Sequence, residues 1–98
     1  MHTIYKYLID KKVLFPYKKV LLPKSAQIVK VGKDYNNEDC IWAIVDPSEQ
    51  ETEERYFVIA ATGEFWDENQ VKYIGTYFDR GYVWHLLEVI EWEDEEKA

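Results

Sequence analysis

Cys40, His2 and His85 are the side chains of this sequence best suited to act as nucleophile, base or metal ligand. Cys40 and His85 could form a thiolate–imidazolium pair, with an acid such as Asp46 orienting the ring. However, Cys40 opens the most apolar run of the chain, Cys40 to Asp46, and a free cysteine in such a run is usually a small core residue. No cationic neighbour argues for a lowered thiol pKa. The two imidazoles stand far apart, and neither a Cys-x-x-Cys nor a His-Glu-x-x-His spacing occurs. The acids between Asp34 and Asp39 lack the pattern of an oxygen cage. Among 19 acidic residues a carboxylate pair can always be drawn on paper, so acidity alone argues for no acid–base machinery. The expectation is therefore no catalytic residue, no metal, no cofactor and no enzyme.

A binding constellation is better supported. Thr62-Gly63 and Gly75-Thr76 combine hydroxyls with small residues that let backbone amides approach a ligand. Trp42, Arg55, Tyr73, Tyr77 and His85 surround them in the strand pattern. If the fold brings these together, hydroxyls and one guanidinium would hold a phosphate while a ring stacks a base. That would be a pocket for a nucleotide-like ligand. The competing structural reading makes Gly63 a strand end, Gly75 a bulge and the aromatics core.

The elements that would position these residues read as short strands. Thr3 to Ile9, Tyr17 to Leu22, Gln27 to Gly32, Cys40 to Asp46, Arg55 to Thr62, Lys72 to Phe78 and Tyr82 to Glu88 are rich in β-branched and aromatic residues and are separated by turn chemistry. Pro23 ends the second strand, Lys24-Ser25 turns the chain, and Asp79-Arg80-Gly81 signals a hairpin. Glu64 to Val71 leaves room for one short helix or a wide loop. The period-two alternation puts Trp84 inward and His85 toward the surface. These features predict a mainly β protein, a small antiparallel sandwich or barrel of six to seven strands. Residues 1–90 would form the single domain and residues 91–98 an acidic C-terminal tail.

At 98 residues such a domain has a thin core, yet 16% of it is aromatic. Some of Tyr5, Tyr7, Tyr17, Tyr35, Phe65, Trp66, Tyr82 and Trp92 must then be exposed. Interfaces are enriched in such rings, which predicts a protein partner or a homo-oligomer. Charge is divided along the chain. Lys6, Lys11, Lys12, Lys18, Lys19, Lys24, Lys30 and Lys33 precede residue 34, and acids dominate after it. The simplest account is cross-strand pairing of the two halves. The net charge of −7 disfavours DNA as a partner. No apolar run is long enough to span a membrane. The opening Met1 to Tyr7 is unlike a signal peptide, and a lone cysteine suits a reducing compartment, so a cytoplasmic location is expected.

Several segments in order carry a likeness: Thr3 to Tyr7, Leu22 to Ala26, Ile41 to Pro47, Thr62-Gly63, Tyr73 to Tyr77, and Val83 to Leu86. On these the chain resembles a family of short uncharacterised proteins encoded by tailed phages and prophages. After the Thr-Gly pair, where that family suggests a small or imidazole-bearing residue, this chain has Glu64-Phe65-Trp66. The resemblance implies a phage-encoded protein acting in the cytoplasm of an infected bacterium, and it implies no activity. The expectation is a non-enzymatic accessory protein that binds and modulates a bacterial host protein, such as a defence component. A nucleotide-sequestering protein and a purely structural homo-oligomer are the alternatives.

Overall fold

The computed structural model describes residues 1–9 and 17–92. Lys11 and Lys12, and residues 93–98 of the expected tail, lie outside the described residues. Seven strands follow one another: β1 (Thr3–Leu8), β2 (Lys18–Pro23), β3 (Gln27–Lys33), β4 (Asp39–Val45), β5 (Thr52–Ala61), β6 (Val71–Asp79) and β7 (Tyr82–Val89). They form two antiparallel sheets, β1-β4-β3 and β2-β5-β7-β6. The sheets are not closed into a barrel, so the sandwich expectation holds. β3 lies beside β6, and β1 beside β2, at the two seams.

Alternation explains the core. On β4, Ile41, Ala43 and Val45 point between the sheets and meet Leu22, Phe57 and Leu86 from the other side. Phe57, Leu22, Ile41 and Leu86 are fully buried, and each stabilises the fold by about 1.5–3 kcal/mol. The same alternation turns Trp42 outward, although β4 is the central strand of its sheet as expected. Its ring lies under the Lys30 ammonium, 5.2 Å from the centroid.

The turns follow local chemistry. Arg80 and Gly81 both have positive φ, as a two-residue type I′ hairpin needs. Ser25 is also left-handed, and Ala26 N–H donates to the Pro23 carbonyl across that turn. The stretch from Glu64 to Val71 contains no helix. Asp67 takes it instead, accepting from the Asn69 amide at 2.8 Å, while its carbonyl accepts from the Gln70 and Val71 amides. A single side-chain-locked turn is cheaper to form than an isolated helical nucleus.

Charge pairs as expected. Lys6 meets Asp34 at 2.8 Å, Lys24 meets Glu51 at 3.2 Å, and Lys19 approaches Glu54 at 3.8 Å. Exposed pairs of this kind contribute little stability.

Candidate functional site

The sheet β2-β5-β7-β6 has an inner face on the core and an outer face that is buried at one end, at Ala60, Val71 and Leu87, and exposed at Tyr73 and Phe78. The register places Tyr56, Val58, Ala60 and Thr62 of the β5 segment outward, then Val83, His85, Leu87 and Val89 of β7, and Val71, Tyr73, Thr76 and Phe78 of β6. These positions of β5, β7 and β6 carry no charged residue; charge enters the face at its β2 side, where Lys19 and Glu54 meet at 3.8 Å and Tyr56 OH donates to Glu54. Ala60, Val71 and Leu87, with Val58 and Val89, form a small apolar cluster at one end of this face. Tyr73 is 54% exposed and Phe78 72%, so large rings stand open on it. Trp92 folds back at one margin, edge-on to Tyr17 at 4.7 Å and to Tyr56 at 5.3 Å. The Ile90 and Glu91 amides both donate to the Gln70 carbonyl.

In the middle of the face runs a hydrogen-bonded chain. Tyr73 OH lies 2.6 Å from Thr76 Oγ1, which lies 2.8 Å from His85 Nδ1. On the other side of the ring His85 Nε2 lies 2.8 Å from Thr62 Oγ1. β7 places His85 directly opposite Thr76, and the end of β5 brings Thr62 alongside. A neutral imidazole has one donor and one acceptor nitrogen, and a hydroxyl can meet either. The ring is therefore held in place whichever tautomer it adopts. The outward positions supply no carboxylate to polarise the imidazole and no cation to receive an anion. The arrangement is a rigid polar spot on an apolar face, suited to giving and taking hydrogen bonds.

Four of the residues predicted to form a site, Thr62, Tyr73, Thr76 and His85, are thus brought together. The others are not. Gly63 has φ +94° in the turn closed by the Glu64 N–H to Ala61 carbonyl bond, 3.1 Å, and Glu64 Oε1 accepts the Ala61 amide. It serves the turn. Gly75 faces inward at the β6 bulge, where an added Cβ would sit 2.7 Å from Val31 Cγ1 of the opposite sheet. It serves close packing of the sheets, not approach to a ligand. Trp42 lies on the outer face of the other sheet.

Arg55 is engaged in the fold itself. Its Nε and Nη2 donate to the two Glu88 carboxylate oxygens at 2.6 and 2.7 Å, and Nη1 donates to the Ala26 carbonyl at 2.6 Å. The Glu88 hydrogen bond raises the Arg55 pKa further above its ordinary value. Three of its five N–H donors are spent inside the fold and its side chain is 15% exposed, so it is not presented to a phosphate. Cys40 is fully buried, its thiol donating to the Glu38 carbonyl, and burial and then the Asp34 carboxylate push its pKa up to about 11. It is a core thiol, as expected.

One charged cluster was not anticipated. At the end of the sandwich where the β3–β4 and β6–β7 hairpins meet, Lys33 bridges Asp39 and Asp79, the latter at 3.2 Å. Burial works against the ammonium, but the two carboxylates outweigh it and raise the Lys33 pKa. Tyr77 beside them is 6% exposed, and burial, then Asp39 and Asp79, lift its phenol above the usual range. Sequence reading missed this cluster because its members lie on three strands. The only local signal was that Lys33 and Asp39 flank a loop with turn chemistry.

A small antiparallel sandwich with an apolar and aromatic patch on one outer face defines an architecture and not a chemistry. The family is explicit: a model described as a domain of unknown function, DUF7352, matches residues 1–97, and the chain belongs to that family. No curated protein and no solved structure matches it.

Proposed function

We propose that this protein is a non-enzymatic binding domain that takes a partner protein on the outer face of its four-stranded sheet. The observation that carries the reading is the freedom of that face from charge between Tyr56 and Thr62, Val71 and Phe78, and Val83 and Val89. Interface centres are depleted of charge and enriched in aromatic rings, and this face has both properties. Tyr73 and Phe78 are the anchors, and the fixed Thr62–His85–Thr76 spot supplies directional hydrogen bonds at the centre. The likeness to phage and prophage proteins suggests the partner's source: a host protein in the cytoplasm of an infected bacterium, modulated by being covered.

The test compares two faces. Phe78→Asp places a charge at an outward position that is 72% exposed, so the fold should lose no more than about 0.5 kcal/mol. Ile4→Asp does the same on the outer face of β1, where Ile4 is 56% exposed. Bacterial proteins captured by the parent should be lost with Phe78→Asp and retained with Ile4→Asp. Equal capture by both variants would remove the outer face of the four-stranded sheet from the account.

A further inference from the structure

At the Lys33 end the sheets part to leave a cleft of about 220 Å³, lined by Lys18, Asp39, Ile59, Tyr77, Asp79 and Trp84. It is separate from that outer face, since these strand residues point between the sheets. Two of the lining side chains are apolar plates braced on the core: the aliphatic Ile59 on β5 and the indole of Trp84 on β7. Tyr77, nearly buried, contributes its ring. The polar lining is of both signs, the carboxylates of Asp39 and Asp79 against the ammonium of Lys18. Lys33, tying Asp39 to Asp79, fixes where the carboxylates point.

Ligand classes can be sorted against that lining. A small anion would face two carboxylates. A simple cation would face Lys18 and Lys33. An aliphatic molecule would desolvate charged groups and return no hydrogen bonds. A planar ring bearing N–H donors and ring-nitrogen or carbonyl acceptors meets every part at once. Its faces contact Trp84 and Ile59, its donors meet Asp79, and its acceptors meet the Lys18 ammonium. Asp79 is the best placed acceptor: its side chain is 23% exposed, with Lys33 on one oxygen and only the loose Arg80 contact, 3.9 Å, on the other. Pockets for drug-sized ligands begin near about 300 Å³, so this cleft admits a single ring system.

We propose that the cleft binds a nucleobase, free or as its nucleoside, base inward and sugar at the mouth. A 5′-phosphate would be placed beside the Asp39 and Asp79 carboxylates, so nucleotides and oligonucleotides bind more weakly than nucleosides. None of Trp42, Arg55, Thr62 or Thr76 takes part, and the proposal does not depend on a protein partner.

The experiment titrates the full chain with adenosine, guanosine, cytidine and uridine, the free bases, their 5′-monophosphates and a single-stranded oligonucleotide. The readout is the Trp84 indole N–H resonance together with tryptophan fluorescence. At least one base and its nucleoside should move the Trp84 signal saturably below about 1 mM, the weak end of specific binding. The monophosphate should bind several-fold more weakly. Asp79→Asn should weaken binding tenfold or more, because a charge-assisted acceptor becomes neutral. Ile4→Ala, on the outer face of β1 where Ile4 is 56% exposed, should leave binding unchanged. A Trp84 signal that no base or nucleoside moves would overturn the proposal, and that arm needs no variant. Tighter binding of the monophosphate or the oligonucleotide than of the nucleoside would overturn it as well. So would a response that survives Asp79→Asn and is lost in Ile4→Ala.

Discussion

The two ends of the layer between the sheets each carry an ion cluster, and the clusters are built differently. At one end Arg55 meets Glu88 through two parallel bonds and spends its remaining nitrogen on the Ala26 carbonyl. At the other, a single ammonium, Lys33, is shared between Asp39 and Asp79. The guanidinium is a planar fork whose shape matches one carboxylate, whereas an ammonium is a point charge that can serve two. The first end is saturated and shut. The second keeps a carboxylate partly exposed beside aromatic and aliphatic plates, with space between them. A charged residue between sheets therefore signals a binding site only when its partners leave something unmet.

The sharpest way to break this comparison is to remove one partner at the shut end. Glu88→Ala leaves Arg55, whose side chain is only 15% exposed, without a counter-charge. Breaking a buried pair in this way costs about 3–5 kcal/mol. Urea denaturation should show a midpoint lowered by more than about 1 M. The double variant Arg55→Met, Glu88→Leu should recover most of that loss, since replacing both charges with apolar groups is often neutral or stabilising. A Glu88→Ala midpoint close to the parent would mean that the bidentate pair is not what closes that end.

Both ends depend on how closely the sheets approach, and Gly75 sets this near the β3–β6 seam. Gly75→Ala would bring Cβ to 2.7 Å from Val31 Cγ1, so a strand must shift. Overpacking of this kind costs about 1–3 kcal/mol. Adding Val31→Ala should restore part of it, because the clash is with that methyl alone. A Gly75→Ala protein as stable as the parent would show that the sheets part freely there.

At the open end a smaller effect is expected. Asp79→Asn removes one of the two carboxylates on Lys33, but Asp39 remains and Asp79 is partly solvated. The loss should be about 1 kcal/mol or less in the same denaturation experiment. An effect as large as that of Glu88→Ala would make the two ends equivalent and undo the contrast.

The strands were legible in the sequence and the ion clusters were not. Alternation and turn residues located all seven strands, and Asp79 to Tyr82 reads as a hairpin because Arg80-Gly81 suits two consecutive left-handed residues. β5 begins at Thr52, earlier than its apolar run suggests. The all-polar stretch Ser48 to Glu54 reads as a loop or one helical turn, yet Glu53 and Glu54 pair with Leu22 and Leu21 of the edge strand β2. Pattern reading finds the buried part of a strand and misses the part whose side chains face water. Thr62, Thr76 and His85 could be grouped because Thr-Gly and Gly-Thr mark strand ends and bulges. Arg55 was misplaced because its partner, Glu88, lies 33 residues away and meets it only because β5 pairs with β7. Strand order is a long-range property that composition does not carry.

The smallest effect concerns the loop on which the Lys33 end is built. Asp34 follows Lys33 directly, and its carboxylate accepts from Lys6 at 2.8 Å and from the Asn36 and Glu38 amides at 2.9 Å. The Lys6 hydrogen bond, then the Glu38 amide, lower its pKa from 3.8 to about 2. A carboxyl depressed by folding contributes stability that is complete above its unfolded pKa, near 4, and is lost as pH falls through the folded value. Between about pH 4 and pH 2 the loop from Asp34 to Glu38 should loosen, and with it the hairpin that presents Lys33 and Asp39. The amide resonances of Asn36 and Glu38 should move with a midpoint near pH 2, and in Asp34→Asn they should not move over that range. A midpoint near pH 4 would show that the carboxylate is not held by Lys6 and the two amides. The open end would then have no acid-sensitive support.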